Sequence, residues 1–185
     1  RPSRHGLRCR GDRLWVVAYL VDDGPTVYYV YDRSTRDARL LFTNRRKLEN
    51  QPLAKMHSVI INSRDGLQLV GYYTLPIGSD QDNDGIPDQP LPMVFTPHGG
   101  PWGRDYWGFN RWHQWLANRG YAVLSVNFRA STGFGKAFVN AGNRESGSKI
   151  IEDQVDSVRW AFCACVADSR LMSLMGASFG GYSTR

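Results

Sequence analysis

The run Gly176-Ala177-Ser178-Phe179-Gly180-Gly181-Tyr182 follows directly on the mostly apolar stretch Arg170-Leu171-Met172-Ser173-Leu174-Met175. The apolar stretch predicts a short buried strand, and Gly-x-Ser-x-Gly between a strand and a helix is the pattern of a nucleophile elbow. A serine at such a turn adopts a strained backbone conformation. Strand and helix approach closely there, so the residues two positions away must be small, as Gly176 and Gly180 are. The pattern predicts Ser178 as a nucleophile.

A second glycine-rich turn, Pro97-His98-Gly99-Gly100-Pro101-Trp102, follows the apolar strand predicted over residues 91–96. In lipases and esterases a His-Gly-Gly turn after a strand supplies a backbone oxyanion donor. We therefore predict that the N–H groups of Gly100 and Phe179 form an oxyanion hole. His98 is interpreted as a residue that holds the loop by hydrogen bonds, because the base histidine of this fold follows the nucleophile. Structural support for both turns is assigned to His98, Gly99, Gly176, Gly180 and Gly181.

The net charge of +6 belongs to the N-terminal part of the sequence. Residues 1–55 hold twelve Lys or Arg against six Asp or Glu, whereas residues 56–185 hold eleven of each. The arginines are scattered among turns, which argues against a nucleic-acid partner. No run of 18 apolar residues occurs, so no membrane span is predicted. The start lacks both a Met and an apolar signal region, and we expect the sequence to be part of a longer chain.

The sequence contains three cysteines, Cys9, Cys163 and Cys165. An odd count without framework spacing argues against a disulfide scaffold. Two thiols two residues apart are able to ligate a metal, but both lie in an apolar helical stretch. We interpret Cys163 and Cys165 as small buried thiols.

Residues 13–42 have the pattern of a β-meander. Strands are predicted over residues 14–21, 26–31 and 38–42, separated by polar turns. Short strands at this spacing are typical of a propeller blade. Three strands are too few for an independent sheet, so neighbouring strands are expected.

After residue 53 the pattern changes to alternating strands and helices. A hairpin is predicted over residues 57–73. A helix over residues 110–119 groups Trp112, Trp115 and Leu116 on one face. A second helix over residues 150–166 has an apolar face of Ile151, Val155, Val158 and Phe162. Together with strands at 91–96, 121–126 and 170–175, this order predicts an α/β fold with parallel strands joined by right-handed crossovers.

The acidic stretch over residues 78–88 resembles the start of a calcium loop. Asp80, Asp82 and Asp84 occupy positions one, three and five, and Asp88 occupies position nine. Position twelve, where an EF-hand has a bidentate glutamate, is Leu91. Two interpretations stay open: a calcium site, or a solvated acidic insertion in a hairpin loop.

Five runs in the same order resemble the prolyl oligopeptidase family of serine peptidases, most closely its acylaminoacyl-peptidase-like branch. They lie at residues 98–102, 118–129, 131–135, 167–170 and 176–182. The resemblance implies the last strands of a β-propeller over residues 1–52 and the first part of an α/β-hydrolase domain over residues 53–185. It also implies Ser178 as nucleophile, the N–H groups of Phe179 and Gly100 as oxyanion hole, and the catalytic acid and histidine beyond residue 185. Ala130 departs from the pattern, since the family usually has glycine there.

These observations lead to one principal function and two alternatives. The principal hypothesis is a serine peptidase that hydrolyses peptide bonds of short peptides or acylated amino acids through an acyl-enzyme on Ser178. It needs a peptide substrate and no cofactor, and residues 1–185 alone are expected to be inactive. The alternatives are a carboxylesterase with the same constellation, and a non-catalytic fragment stabilised by calcium.

Overall fold

The computed structural model describes residues 4–8, for which only the backbone is considered, and residues 11–184. Cys9 lies outside this part of the chain. The chain divides into two compact units. Unit 1 comprises Arg1–Leu53 and Gly108–Asn110, and unit 2 comprises Ala54–Trp107 and Arg111–Arg185.

Unit 1 contains a four-stranded antiparallel meander. Its strands, adjacent in chain order, are β1 (Arg4–Arg8), β2 (Leu14–Tyr19), β3 (Val27–Asp32) and β4 (Asp37–Thr43), and a 3₁₀ turn covers Arg46–Leu48. Aromatic rings pair across the strands: Trp15 lies opposite Tyr31, and Tyr28 stacks on Phe42 at 4.8 Å. Such cross-strand pairs stabilise a sheet. The sequence predicted the last three strands but missed β1, whose residues show no apolar alternation.

Unit 2 is built on a five-stranded mixed sheet in the order β5-β6-β8-β7-β9. The strands are β5 (Met56–Asn62), β6 (Gln68–Thr74), β7 (Leu91–Phe95), β8 (Ala122–Asn127) and β9 (Ala167–Leu174). The predicted hairpin is confirmed as the antiparallel pair β5–β6, and β6 is also antiparallel to β8. The predicted parallel pairing is confirmed for β7, which lies between β8 and β9.

Four helices connect or follow these strands. They are α1 (Arg111–Ala117), α2 (Lys136–Asn140), α3 (Lys149–Cys163) and α4 (Phe179–Ser183). Every residue of β8 is buried, because this strand has neighbours on both sides and the core on its faces. Among the residues that the structure describes, no helix combines the length and the apolar character needed to cross a bilayer.

The buried face of α1 differs from the predicted one. His113, Leu116 and Ala117 are buried, whereas Trp112 and Trp115 remain 49% and 47% exposed. The guanidinium groups of Arg111 and Arg119 lie over the two indole rings and partly cover them. Cation–π contacts of this kind stabilise aromatic rings at the surface.

The apolar face predicted for α3 is also wrong in part. Val155 is 39% exposed, and the buried face consists of Ile150, Asp153, Gln154, Ser157 and Ala161. The polar members are buried because each has a hydrogen-bond partner. Asp153 accepts hydrogen bonds from Arg129, Gln154 donates to Ser183, and Ser157 donates to the carbonyl of Asp153.

Helix α3 ends in a Schellman motif at Cys165. The φ angle of Cys165 is 56°, and the N–H of Val166 donates to the carbonyl of Ala161 at 3.0 Å. This position favours glycine. Cys163 and Cys165 are both exposed free thiols, so the prediction that they are buried was wrong. The reason is that the helix terminates between them, at the surface.

His113 joins α1 to the sheet. Its ring is 1% exposed, with Nδ1 3.0 Å from Thr74 Oγ1 on β6 and Nε2 2.8 Å from Ser125 Oγ on β8. Burial lowers the pKa of His113 to about 4. The ring is therefore neutral in the folded chain at pH values where a histidine in the unfolded chain already binds a proton.

This difference predicts that acid destabilises the fold through His113. The unfolded chain binds the proton more tightly, so the free energy of unfolding should fall by about 2–3 kcal/mol between pH 6.5 and pH 4 from this residue. His113→Gln should remove that part of the pH dependence, as measured by urea denaturation across this range. The same pH dependence in both proteins would contradict the assignment.

Candidate active site

The turn between β9 and α4 places Ser178 at the start of the helix. Met175 N–H donates to the carbonyl of Phe95 at 3.0 Å, so the sheet continues to the beginning of the turn. Ser178 has φ 56° and ψ −123°, and its carbonyl accepts the first helical hydrogen bond, from Tyr182 N–H at 3.0 Å. A positive φ at a non-glycine residue costs of order 1–3 kcal/mol and is typical of functional turns.

Three segments of backbone meet around this turn. A Cβ on Gly176 would overlap the carbonyl group of Gly180, and a Cβ on Gly180 would overlap the carbonyl oxygen of Pro97. Strand β9, helix α4 and the loop after β7 are therefore in direct backbone contact. Only glycine permits this approach at the two positions.

The loop after β7 also borders Ser178 itself. A Cβ built on Gly99 would lie 3.4 Å from Ser178 Cβ and 3.9 Å from Ser178 Oγ. Gly100 follows with φ 136°, a conformation that favours glycine, and a cis peptide bond to Pro101. The structure thus brings the His-Gly-Gly turn and the serine together.

Hydrogen bonds of His98 orient this turn. Nδ1 lies 2.8 Å from the carbonyl oxygen of Gly99, which only accepts, so Nδ1 carries the proton. Nε2 lies 2.8 Å from Ser131 Oγ, and the ring stacks on Phe128 at 4.2 Å. Burial lowers the pKa of His98, with the Gly99 hydrogen bond opposing the shift. Because C=O and N–H of a trans peptide point in opposite directions, the N–H of Gly100 faces away from His98.

Ser178 Oγ has no hydrogen-bond partner among residues 4–8 and 11–184. His98 is engaged with its own loop, His113 is buried between α1 and the sheet, and His57 stacks on Tyr73 at 5.0 Å. The side chain of His5 lies outside the description. Within the described chain, none of these three histidines therefore bonds Ser178 Oγ.

An ion-pair network, which the sequence analysis missed, supports the neighbouring loop; its members Arg129 and Asp153 are buried, and Asp65 is exposed. Arg129 is 3% exposed and bonds Asp153 at 2.7 and 2.8 Å and Asp65 twice at 2.9 Å. The Asp153 hydrogen bond raises the pKa of Arg129, and Arg129 holds the pKa of Asp65 well below its usual range. Ala130 follows with φ 80°, which explains why glycine is the usual residue there. The network therefore fixes the segment that carries Ser131.

Asp105, on the loop after the His-Gly-Gly turn, was also missed. Its backbone N–H and carbonyl bond the side chain of Asn127 at 2.8 and 3.2 Å. Its Oδ2 is buried without a hydrogen-bond partner in the part of the chain that the structure describes. Burial raises the pKa of Asp105 to about 7.

Three of the four predicted calcium ligands come together. Carboxylate oxygens of Asp80, Asp82 and Asp84 lie within 4.8 Å of one another, and Asp88 is outside this group. Both oxygens of Asp80 accept backbone N–H groups, from Asp84 at 3.2 Å and Gly85 at 3.0 Å. Three oxygen ligands fit a calcium ion that completes its shell with carbonyls and water. Calcium binding stays a prediction.

Comparison with known proteins assigns the family. Residues 107–185 match the model described as prolyl oligopeptidase family. Over 177 residues the sequence is 51% identical to dipeptidyl aminopeptidase BIII of Pseudoxanthomonas mexicana, covering 96% of this chain and 26% of that protein. The chain belongs to the prolyl oligopeptidase family of serine peptidases.

Other members of the prolyl oligopeptidase family show the same relation. The chain is 39% identical to dipeptidyl peptidase family member 6 of Caenorhabditis elegans, covering 92% of this chain and 25% of that protein. A solved structure of acylaminoacyl peptidase in complex with Z-Gly-Gly-Phe-chloromethyl ketone has the same fold, with a TM-score of 0.74, 23% identity, and coverage of 92% and 26%. The chain spans about a quarter of the length of these relatives.

The backbone contact at Gly180 leads to a test with a matched control. Gly180→Ala should destabilise unit 2 by about 2–3 kcal/mol, because its Cβ meets the carbonyl oxygen of Pro97. In Gly181→Ala the Cβ would lie 3.3 Å from the carbonyl oxygen of Gly176, and we expect a change below about 1 kcal/mol. Urea denaturation measures the free energy of unfolding of both variants. Equal decreases would show that the contact between Gly180 and Pro97 is not tight.

The acidic loop predicts stabilisation by calcium. Millimolar Ca²⁺ should raise the melting temperature by about 3 °C or more, since binding to the folded state alone stabilises it. Asp82→Asn should abolish the shift, whereas Asp88→Asn, outside the cluster, should retain it. A melting temperature that does not respond to calcium would favour the solvated-insertion interpretation.

Proposed function

We propose that the whole protein is a serine peptidase that hydrolyses peptide bonds of short peptides or acylated amino acids through an acyl-enzyme on Ser178. The observation that carries the proposal is the contact between the Gly99–Gly100 turn and Ser178, with 3.9 Å between Ser178 Oγ and a Cβ built on Gly99. This contact supports the roles proposed for Ser178 as nucleophile and for the N–H groups of Gly100 and Phe179 as oxyanion donors, because Ser178 is exposed and borders the turn. Family membership supports the same reaction class.

In the proposed reaction, Ser178 Oγ attacks the carbonyl carbon of the scissile bond. The N–H groups of Gly100 and Phe179 stabilise the oxyanion that forms, because they are fixed before the charge develops. The C–N bond then breaks, the amine leaves with a proton from the general base, and an ester on Ser178 remains. Water activated by the same base hydrolyses this ester and restores the serine.

The general base and its acid partner are proposed to lie outside residues 1–185. This placement is supported by the engagement of His57, His98 and His113 in other contacts. A serine without its base loses several orders of magnitude in rate. Residues 1–185 as an isolated chain are therefore expected to show no turnover.

The substrate class is proposed from the relatives and from unit 1. The similar proteins are a dipeptidyl aminopeptidase and a protein of the dipeptidyl peptidase family, and another relative with the same fold is an acylaminoacyl peptidase. A four-stranded antiparallel meander such as β1–β4 is the form of a propeller blade. We infer that unit 1 belongs to a propeller that restricts the site to short substrates.

The nucleophile is tested in the whole protein with a fluorophosphonate probe. The wild-type protein should be labelled at Ser178, and Ser178→Ala should lose the label and at least about 10³-fold in kcat/KM on a dipeptide anilide. Ser183→Ala, which changes another serine on α4, should keep both. Labelling that survives Ser178→Ala would contradict the proposal.

Two substrates, assayed with the same whole protein, distinguish a peptidase from a carboxylesterase. A peptidase should hydrolyse the dipeptide anilide as well as the matching acyl ester, with both rates dependent on Ser178. Hydrolysis of the ester alone would favour the esterase alternative.

A further inference from the structure

Arg104 lies on the loop that carries the proposed oxyanion donor. The residue before it, Gly103, packs directly on the His-Gly-Gly turn: a Cβ there would lie 2.8 Å from His98 Nδ1 and would overlap the carbonyl oxygen of Gly99. The carbonyl of Gly103 also accepts the N–H of Thr132 at 3.0 Å. The backbone leading into Arg104 is therefore fixed against the turn that borders Ser178.

Aromatic rings hold the guanidinium group of Arg104 in place. Its central carbon lies 4.4 Å from the ring centroid of Phe134 and 5.0 Å from that of Tyr106. Gly133 lies against the group so closely that a Cβ there would overlap Arg104 Nη1. Contacts with two rings orient a planar cation without neutralising its charge.

Arg104 has no carboxylate partner in the described part of the chain. This sets it apart from Arg64, Arg129 and Arg170, which all form ion pairs. Arg104 as a whole is partly buried. Its Nε is buried and has no hydrogen-bond partner, and its two terminal nitrogens reach the surface. A fixed, partly desolvated cation is favourable when an anion binds to it.

The adjacent acid does not supply that anion. In the described part of the chain Asp105 makes no ion pair with Arg104, and its backbone N–H and carbonyl are bound to the side chain of Asn127. Its own Oδ2 is unpartnered. The terminal nitrogens of Arg104 are thus free to bind a group from outside the chain.

Backbone contacts connect Arg104 to the segment that borders the nucleophile. Gly103 contacts Gly99, whose backbone borders Ser178 Oγ, and Arg104 follows Gly103 directly. An extended peptide advances about 3.3–3.6 Å per residue. We therefore expect that a peptide of a few residues, held at Ser178, is long enough to reach Arg104.

From these observations we propose that Arg104 binds a carboxylate of the peptide substrate, within a few residues of the bond that is cleaved. The inference rests on the proposed function, since it needs Ser178 as the nucleophile. A guanidinium binds a carboxylate through two parallel hydrogen bonds. The carboxylate has two sources, the C-terminus of a short peptide or an Asp or Glu side chain.

The test compares three kinds of substrate in the whole protein. They are tetra-alanine with a free C-terminus, tetra-alanine amide, and the amide with Glu in place of each Ala in turn. Arg104→Met, which keeps the length of the side chain, should lower kcat/KM about tenfold or more for substrates with a bound carboxylate and less than about twofold for the amide. If kcat/KM falls for the free acid alone, the bound carboxylate is the C-terminus. If it falls for a Glu-containing amide, the bound carboxylate is the Glu side chain.

Two further variants control this result. Arg104→Lys keeps the charge but not the paired hydrogen bonds, so its kcat/KM should lie between wild type and Arg104→Met. Arg119→Met removes a guanidinium that also lies over a ring, that of Trp115, and should match wild type on all substrates. If Arg104→Met lowers kcat/KM by the same factor for tetra-alanine and for its amide, the inference is overturned.

A binding measurement separates this inference from the proposed function. Calorimetry would compare Ser178→Ala with the double variant Ser178→Ala, Arg104→Met. The double variant should bind tetra-alanine about tenfold more weakly and should bind tetra-alanine amide equally well. Absence of Ser178-dependent hydrolysis together with Arg104-dependent acid binding would reject the function and leave the carboxylate site. Hydrolysis with an acid-to-amide ratio unchanged by Arg104→Met would reject the site and leave the function.

Discussion

The backbone contact between Gly180 and the carbonyl of Pro97 is the constraint on which the candidate site depends. A side chain at position 180 would separate α4 from the loop after β7. The Gly99–Gly100 turn would then move away from Ser178, and the two N–H groups that we propose as oxyanion donors, those of Gly100 and Phe179, would no longer face the same oxygen. Because backbone groups have fixed geometry, this arrangement needs no reorganisation when charge develops. The site is a property of main-chain packing more than of side chains.

An ion-pair network around the buried Arg129 supports the loop that makes this contact. Arg129 with Asp65 and Asp153 ties the end of β8 to the β5–β6 turn and to α3. Burying such a network is expensive, so it contributes little net stability compared with apolar residues of the same size. It does allow only one arrangement of the segment that leads to Ser131 and His98. In this protein the polar interior therefore specifies the position of the loop.

The same loop contains two polar groups that the described chain does not satisfy. The buried Oδ2 of Asp105 and the guanidinium of Arg104 lie on consecutive residues without pairing with each other. Buried polar atoms without a hydrogen-bond partner are rare in folded proteins, so each one calls for an explanation. Hydrogen bonds that these two atoms do not make would be supplied by a bound group, as we propose for Arg104.

The sequence by itself determined the elements whose signals are local. Gly-x-Ser-x-Gly after an apolar strand, His98 followed by two glycines, and the alternation of strands and helices all depend on backbone conformations that a few adjacent residues dictate. These signals were sufficient to predict parallel pairing, which the structure shows between β7 and its neighbours β8 and β9. They were also sufficient for recognising the family.

Only the tertiary structure decided which polar residues are buried and with what partner. The face of α3 was misread because Asp153 and Ser157 look solvent-exposed until Arg129, 24 residues away in sequence, is placed beside Asp153. Cys165 looked like a core thiol until the helix was seen to end before it. Arg104 and Asp105 carry no local pattern at all. A polar side chain is buried when it has a hydrogen-bond partner, and that partner is often distant in the sequence. Hydrophobic periodicity depends only on residues that are close in the sequence, so it does not predict such burial.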